Sequence, residues 1–145
     1  MNEKFKVIPA MQNEVLFVHD SLIAFNKSQA TFIQEQDPIP KNYIIKDNGK
    51  IIAGINALIY HWRILYIDVL FVDKDHRRKD FGSILLKKVE DEARAVGVEL
   101  AHLDNFDFQA KDFYLKHGYE IFGVLENCPK GHNRYYLKKN LVLST

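Results

Sequence analysis

Between Asn42 and Val72 the apolar positions come in short runs with strand-like spacing. The segments NYIIK and IIAGINALIY, joined by DNGK, predict a β-hairpin whose Asn48-Gly49 pair supplies the positive φ angles of a tight turn. RILYIDVLFV, from Arg63 to Val72, predicts a third strand rich in β-branched and aromatic residues. The period then changes. Leu85, Val89, Ala93 and Val96 form one apolar stripe, with Lys87, Lys88, Glu90, Asp91 and Arg94 off it, which predicts an amphipathic helix ended by Gly97. VELAHLDNF predicts a strand and QAKDFYLKHG a short helix closed by Gly118. YEIFGVLE and HNRYYLKKNL predict two more strands around the turn NCPKG. Upstream, Phe5 to Ile8 predicts a short strand stopped by Pro9, and Val15, Val18, Leu22 and Ile23 fall near helical spacing. Asn26 to Lys41 is polar, carries two prolines, and predicts a loop that covers a site. The order β-α-β-β-β-loop-α-β-α-β-β predicts an α/β sandwich with a mixed sheet.

Length and charge narrow the function. A chain of 145 residues, 47% hydrophobic, buries one core, so residues 1–145 are expected to form a single soluble domain. A formal net charge of +1 provides no global field toward nucleic acid or an anionic membrane, so any anion site is local. The single cysteine, Cys128, excludes an internal disulfide, and the six histidines lack H-x-x-x-H spacing, which argues against a structural metal. No signal-peptide pattern opens the chain and no apolar run approaches the roughly 18 residues of a spanning helix, so a cytoplasmic location is expected.

The stretch DKDHRRKDFG links the third strand to the amphipathic helix. A helix start offers unpaired N–H groups and the positive end of the helix dipole, where phosphates bind readily. Arg77, Arg78 and Lys79 add side-chain charge, and Gly82 removes a Cβ where a ligand would approach the backbone. The competing reading is a solvated basic turn. Neither a Walker pattern nor a three-glycine dinucleotide fingerprint is present. A nucleic-acid surface is poorly served, since only Phe81 accompanies these charges, too little for a stacking platform.

FVDKDHRRKDFGSILL resembles the acetyl-CoA signature Q/R-x-x-G-x-G/A of the GNAT family of N-acetyltransferases, with Arg77 first, Gly82 last, and Asp80 in place of the middle glycine. AKDFYLKHGYEIFG resembles the family's second signature, A-x-x-F-Y-x-x-x-G-F/Y, in the expected order and at the expected distance. The resemblance spans nearly the whole chain and is least clear before Asn42. It implies a GNAT-like fold, a mixed and mostly antiparallel sheet flanked by helices, and acetyl-CoA as cosubstrate. It further implies that the pyrophosphate lies on the loop Arg77, Arg78, Lys79, Asp80, Phe81, Gly82 and Ser83. The pantetheine and acetyl carbonyl would be held by main-chain groups of Leu70, Phe71 and Val72. The implied activity is acetyl transfer to a primary amine of a small-molecule or peptide acceptor, with a homodimer left open.

Such a reaction poses two proton problems. A protonated amine with a pKa near 10 must lose a proton, and the departing thiolate gains from receiving one. Tyr114 matches the family tyrosine that serves as the acid, yet Ala110, Phe113, Tyr114 and His117 also share helical spacing, which fits a core position. Asp68 interrupts an apolar strand where several relatives carry a glutamate base. An unpaired carboxylate there is costly, so Asp68 is expected to be paired or to face a wet cleft. His102 and Asp104 are weaker candidates for the same cleft. Asp107 stands where the family often carries asparagine. Asp68, Asp104 and Glu126, with Trp62, Tyr135 and Tyr136, could form an acceptor pocket. Cys128 lies outside both signatures, which favours direct attack in a ternary complex over an acyl-enzyme. The runner-up is a non-catalytic CoA-binding or regulatory module of the same fold, with Tyr114 and Asp68 as core residues.

Overall fold

A computed structural model describes residues 4–142. The chain separates into two compact units, Met1–Phe32 and Ile33–Thr145. In the first, helix α1 (Gln12–Gln29) is stabilised locally, because the carboxylate of Glu14 accepts the Met11 N–H at 3.0 Å. The strand expected over Phe5 to Ile8 is absent: Lys6 to Ile8 are irregular and pair with no strand, since four residues before a proline offer too little ladder to hold one. The predicted loop from Asn26 to Lys41 is shorter than expected, trimmed by α1 at one end and by strand β1 (Ile39–Asp47) at the other.

The second unit is a six-stranded sheet with helices. After β1 come β2 (Lys50–Tyr60), β3 (Ile64–Val72), α2 (Phe81–Ala95), β4 (Leu100–Phe106), α3 (Lys111–Lys116), β5 (Glu120–Glu126) and β6 (Asn133–Asn140). Their spatial order is β1-β2-β3-β4-β6-β5, antiparallel throughout except for the β3/β4 pair. The hairpin turn forms as expected, with Asn48 at φ 49° and Gly49 at 79°. Parallel β3 and β4 require a crossover, and α2 provides it.

Core packing follows the apolar stripe. Leu85, Leu86, Val89 and Ala93 of α2 lie against Ile55, Ala57, Leu65 and Ile67 of β2 and β3, and burial of each Leu or Ile contributes roughly 1.5–3 kcal/mol. Val96, the last expected member of the stripe, is exposed, because the helix ends before it and Gly97 turns the chain away at φ 85°. Glu90, on the polar side by spacing, is buried. There it accepts hydrogen bonds from Tyr119 Oη at 2.7 Å and Lys139 Nζ at 2.8 Å, so a tertiary partner overrides the helical pattern. Among the described residues no helix is long and apolar enough to cross a membrane.

On the outer side of α2, Glu92 binds three donors: Tyr43 Oη at 2.5 Å, Lys41 Nζ at 3.0 Å and Lys88 Nζ at 2.9 Å. These partners, Tyr43 first, hold its carboxyl down to about 2 from the ordinary 4.5. A depressed acid pKa stabilises the folded state fully above the unfolded value, and that contribution is lost as pH falls through the folded one. Urea unfolding is therefore expected to show Glu92→Gln less stable than wild type at pH 7, with the gap closing as pH approaches 2. A gap of equal size at both pH values would assign the effect to packing instead.

Candidate active site

β3 and β4 pair only from Ile64/Leu100 to Ile67/Leu103. Beyond that point each strand keeps its outer neighbour: β3 stays on β2 up to Ala53↔Val72, and β4 stays on β6 up to Phe106↔Arg134. The strands part where β3 bulges. Asn56 faces Val69 while Ala57 faces Ile67, so Asp68 is the extra residue with no partner on β2. From Asp68 to Val72, alternate main-chain groups of β3 thus face a gap without a strand opposite them.

A cavity of about 710 Å³ lies in this gap. It joins nearly all of the expected cofactor-binding residues, Leu70, Phe71 and Val72 on the strand and Arg77, Arg78, Asp80, Phe81, Gly82 and Ser83 on the loop, but not Lys79. The catalytic candidates Asp68 and Tyr114 also line it. At roughly 3.3 Å per residue, about 13 Å of strand separates Asp68 from Val72.

The loop is shaped for backbone exposure. After a single turn of 3₁₀ helix (Lys74–His76), Arg78 and Asp80 adopt left-handed φ of 73° and 61°. Asp80 is the N-cap of α2, yet its side chain makes no cap hydrogen bond, so the first N–H groups of the helix have no side-chain partner. Arg77 donates through Nε to the Val72 carbonyl at 3.2 Å, which folds its charge back over the strand end. Ser83 Oγ shares a 2.9 Å hydrogen bond with His117 Nε2, tying the start of α2 to the end of α3. Gly82 is also constrained by packing. A Cβ there would meet the Phe113 ring at 3.3 Å, so the missing side chain makes room for α3.

Tyr114 is 6% exposed and packs edge-on against Phe113 and Tyr119, and its hydroxyl bonds no described residue. Burial pushes the phenol up to about 12. Asp68 is exposed to the cavity and forms no ion pair among the described residues, so of the two expected settings it has the wet cleft. Asp104 also lines the cavity but is held by Arg134 and receives Tyr66 Oη at 3.3 Å. His102, bonded to Tyr60 Oη at 2.7 Å and lowered in pKa by burial, lies off the cavity. Asp107 is spent on the neighbouring turn, accepting from His132 Nδ1 at 2.8 Å and Asn133 N at 2.7 Å. Trp62, Glu126, Tyr135 and Tyr136 do not line this cavity. Among the lining residues that escaped sequence reasoning are His76, Gln109 and Asn105, the last with a buried amide that has no partner. Among the described residues no group of three or more His, Cys, Asp or Glu could hold a metal ion.

An uncapped helix start, an unpaired strand edge and a cavity between them fit a long ligand with an anionic end and amide groups, as coenzyme A is. Comparison with known proteins agrees. The family model described as "Acetyltransferase (GNAT) family" matches residues 11–119. The chain is 28% identical over 121 residues to Blasticidin-S acetyltransferase of Streptomyces morookaense, covering 81% of this chain and 88% of that protein. It is similar to the crystal structure of an acetyltransferase from Bacillus cereus ATCC 14579, with 34% identity, a TM-score of 0.87, and coverage of 94% and 98% of the two chains. A Bacillus anthracis str. Ames chain described as a streptothricin acetyltransferase, solved in complex with acetyl coenzyme A, shares the fold at 22% identity, a TM-score of 0.62, and coverage of 75% and 65%. With its second signature on α3, its loop before α2 and its parted strands all in place, this chain belongs to the GNAT family of acetyl-CoA-dependent acetyltransferases.

Proposed function

We propose that residues 1–145 act as one N-acetyltransferase domain that moves the acetyl group of acetyl-CoA to a primary amine by direct attack in a ternary complex. The family match supports one domain because residues 11–119 run across both compact units. The observation that carries the mechanism is that Asp68 and Tyr114 line one cavity, the first as an unpaired carboxylate and the second as a phenol held protonated.

Acetyl-CoA supplies the acetyl group as an activated thioester. The chain's own groups bind, orient and move protons. The N–H groups at the start of α2, with Arg77 and Arg78, receive the pyrophosphate. Main-chain groups from Leu70 to Val72 hold the pantetheine as a strand partner would. Asp68 accepts the ammonium proton, directly or through a water, which frees the nitrogen lone pair. As the C–N bond forms and the C–S bond breaks, Tyr114 gives its proton to the departing sulfur. The acceptor is read as a small molecule, in line with the antibiotic named in the Streptomyces relative, and a CoA-release assay over primary amines, with blasticidin S included, tests this. CoA binding without turnover across the whole panel would point to the non-catalytic module instead.

Removal of the acid in Tyr114→Phe is expected to cut kcat by roughly a hundred- to ten-thousand-fold, with acetyl-CoA affinity nearly unchanged. Because the phenol titrates near 12, wild type is expected to show no falling limb from Tyr114 in the assayable alkaline range. Wild-type turnover in Tyr114→Phe ends the assignment.

Asp68→Asn is expected to cut kcat by roughly a hundred- to ten-thousand-fold in a CoA-release assay while melting like wild type. Near-wild-type turnover with a lower melting temperature makes Asp68 structural.

Asp80 places a negative charge beside the proposed pyrophosphate, in a backbone conformation that glycine adopts without strain. Asp80→Gly is expected to bind CoA about two- to tenfold more tightly at low salt, and Arg77→Ala more weakly, both effects shrinking as salt rises. Calorimetric titration at two ionic strengths checks the pair. Weaker binding by Asp80→Gly would remove the pyrophosphate from this part of the loop.

A further inference from the structure

Phe108 has no part in the reaction proposed above, yet the turn that follows β4 holds it out in water from both sides. On one side, Asp107 donates its N–H to the Asn133 carbonyl at 2.9 Å, and its carboxylate accepts from Asn133 N and His132 Nδ1 at 2.7 and 2.8 Å. On the other, Gln109 donates its N–H to the Phe106 carbonyl at 3.0 Å and accepts the Phe106 N–H through Oε1 at 2.6 Å. Between these anchors Phe108 is 62% exposed and forgoes most of the stabilisation that burying its ring would bring. The ring is also backed. It lies parallel to that of Phe106, with centroids 5.4 Å apart and 4° between the planes, and meets the His132 ring at right angles at 5.2 Å. The Arg134 guanidinium in turn lies 5.3 Å from the Phe106 ring and 5.6 Å from that of Tyr136.

The face of the sheet decides what such a ring meets. Along β4, Ala101 and Leu103 are buried with α2, so Asp104 and Phe106 face away from that helix. Along β3, Leu65 and Ile67 are buried with α2, and Leu70 and Val72 pack there again after the bulge, so Asp68 faces away as well. Stacked on Phe106, Phe108 belongs to the face that carries Asp68, and both line the same cavity. The pyrophosphate is placed at the start of α2, on the other side, and the adenine of coenzyme A is tethered beyond it, leading away from the acetyl group. The acceptor's amine, by contrast, must reach Asp68. A phenyl ring brings no hydrogen-bonding group, only a flat π face whose orientation Phe106 fixes here, and the partner that uses such a face fully is another flat π system. We propose that Phe108 is a specificity-determining residue that stacks a planar aromatic or heteroaromatic ring of the acceptor, with the ring's amine-bearing arm extending to Asp68. This rests on the acetylation of an amine proposed above. Because the ring is held in place before the acceptor arrives, stacking costs little side-chain freedom.

Two primary amines with the same arm isolate the ring: 2-phenylethylamine, and 2-cyclohexylethylamine, which is as bulky and as apolar but has no π face. Calorimetric titration of each into the full chain saturated with CoA is expected to show the aromatic amine binding about three- to tenfold more tightly, the worth of one stacked pair beyond area burial. Phe108→Leu is expected to abolish that preference and Phe108→Tyr to keep it, both with the CoA affinity and melting temperature of wild type. Equal affinity for the two amines in wild type, or binding of neither, overturns the inference, and this comparison holds even if Phe108→Leu does not fold. A preference that survives in Phe108→Leu overturns it too, and loss of CoA affinity in that variant would assign the ring to adenine instead. Turnover of no amine by a chain that binds CoA and prefers 2-phenylethylamine would overturn the proposed catalysis and leave the stacking standing. Failure of wild type to bind CoA would overturn the cofactor placement, with the amine pair then read on the unliganded chain.

Discussion

The site depends on one constraint: β3 and β4 are partners for four residues and then are not. A sheet tolerates such a fork only if each strand is secured on its other side. β2 holds β3 along its whole length and α2 packs over that half, while β6 holds β4 from Leu100 to Phe106. The bulge at Asp68 marks the fork, and bulges both bend a strand and redirect a side chain. A single extra residue therefore opens the cavity, leaves main-chain groups unpaired on one wall and aims a carboxylate into the space between. Each of these features would be a defect in a continuous sheet. Together they describe a binding cleft.

The second requirement is a local positive field in a chain whose charges nearly cancel. It comes from geometry more than from the number of basic residues. Of the three consecutive cations, Arg77 and Arg78 line the cavity and Lys79 does not. The uncapped start of α2 adds N–H groups that no side chain occupies, and the loop before it carries left-handed backbone at Arg78 and Asp80. Left-handed φ explains why the motif prefers glycine at the position of Asp80, and why aspartate, among the few residues that tolerate this region, can stand there. Gly82 serves another purpose, close packing of Phe113, which couples the two signatures in space although about thirty residues separate them along the chain.

Elements with strong local signals were legible in the sequence. Asn48-Gly49 announced the hairpin, the stripe of Leu85, Val89 and Ala93 announced α2, and Gly97 announced its end, because each depends on nearby residues. The features that escaped depend on partners far along the chain. Glu90 looks solvent-facing on a helical wheel and is buried because Tyr119 and Lys139 come to meet it. Asp68 is visible as a charge in an apolar strand, but its bulge exists only in the register with β2. Asn105 reads as an ordinary polar residue near a strand end, and only its burial without a partner makes it conspicuous. Phe5 to Ile8 had strand-like composition with nothing to pair with, and composition without a partner does not make a strand.

The two readings of Tyr114, core residue and acid, turn out to be compatible, and the physical reason is burial. Packing its ring against Phe113 and Tyr119 removes the aromatic surface from water, as a core residue requires. The same desolvation disfavours the phenolate and lifts the pKa, so the hydroxyl keeps its proton wherever the enzyme would work. A more exposed tyrosine would be less firmly placed and closer to ionising in alkaline solution. A fully enclosed one would need an internal hydrogen-bond partner for its hydroxyl. Tyr114 meets neither condition, since its ring lies in the core, its hydroxyl bonds no described residue, and its side chain lines the cavity. Helical spacing could not separate the two roles because one placement is compatible with both.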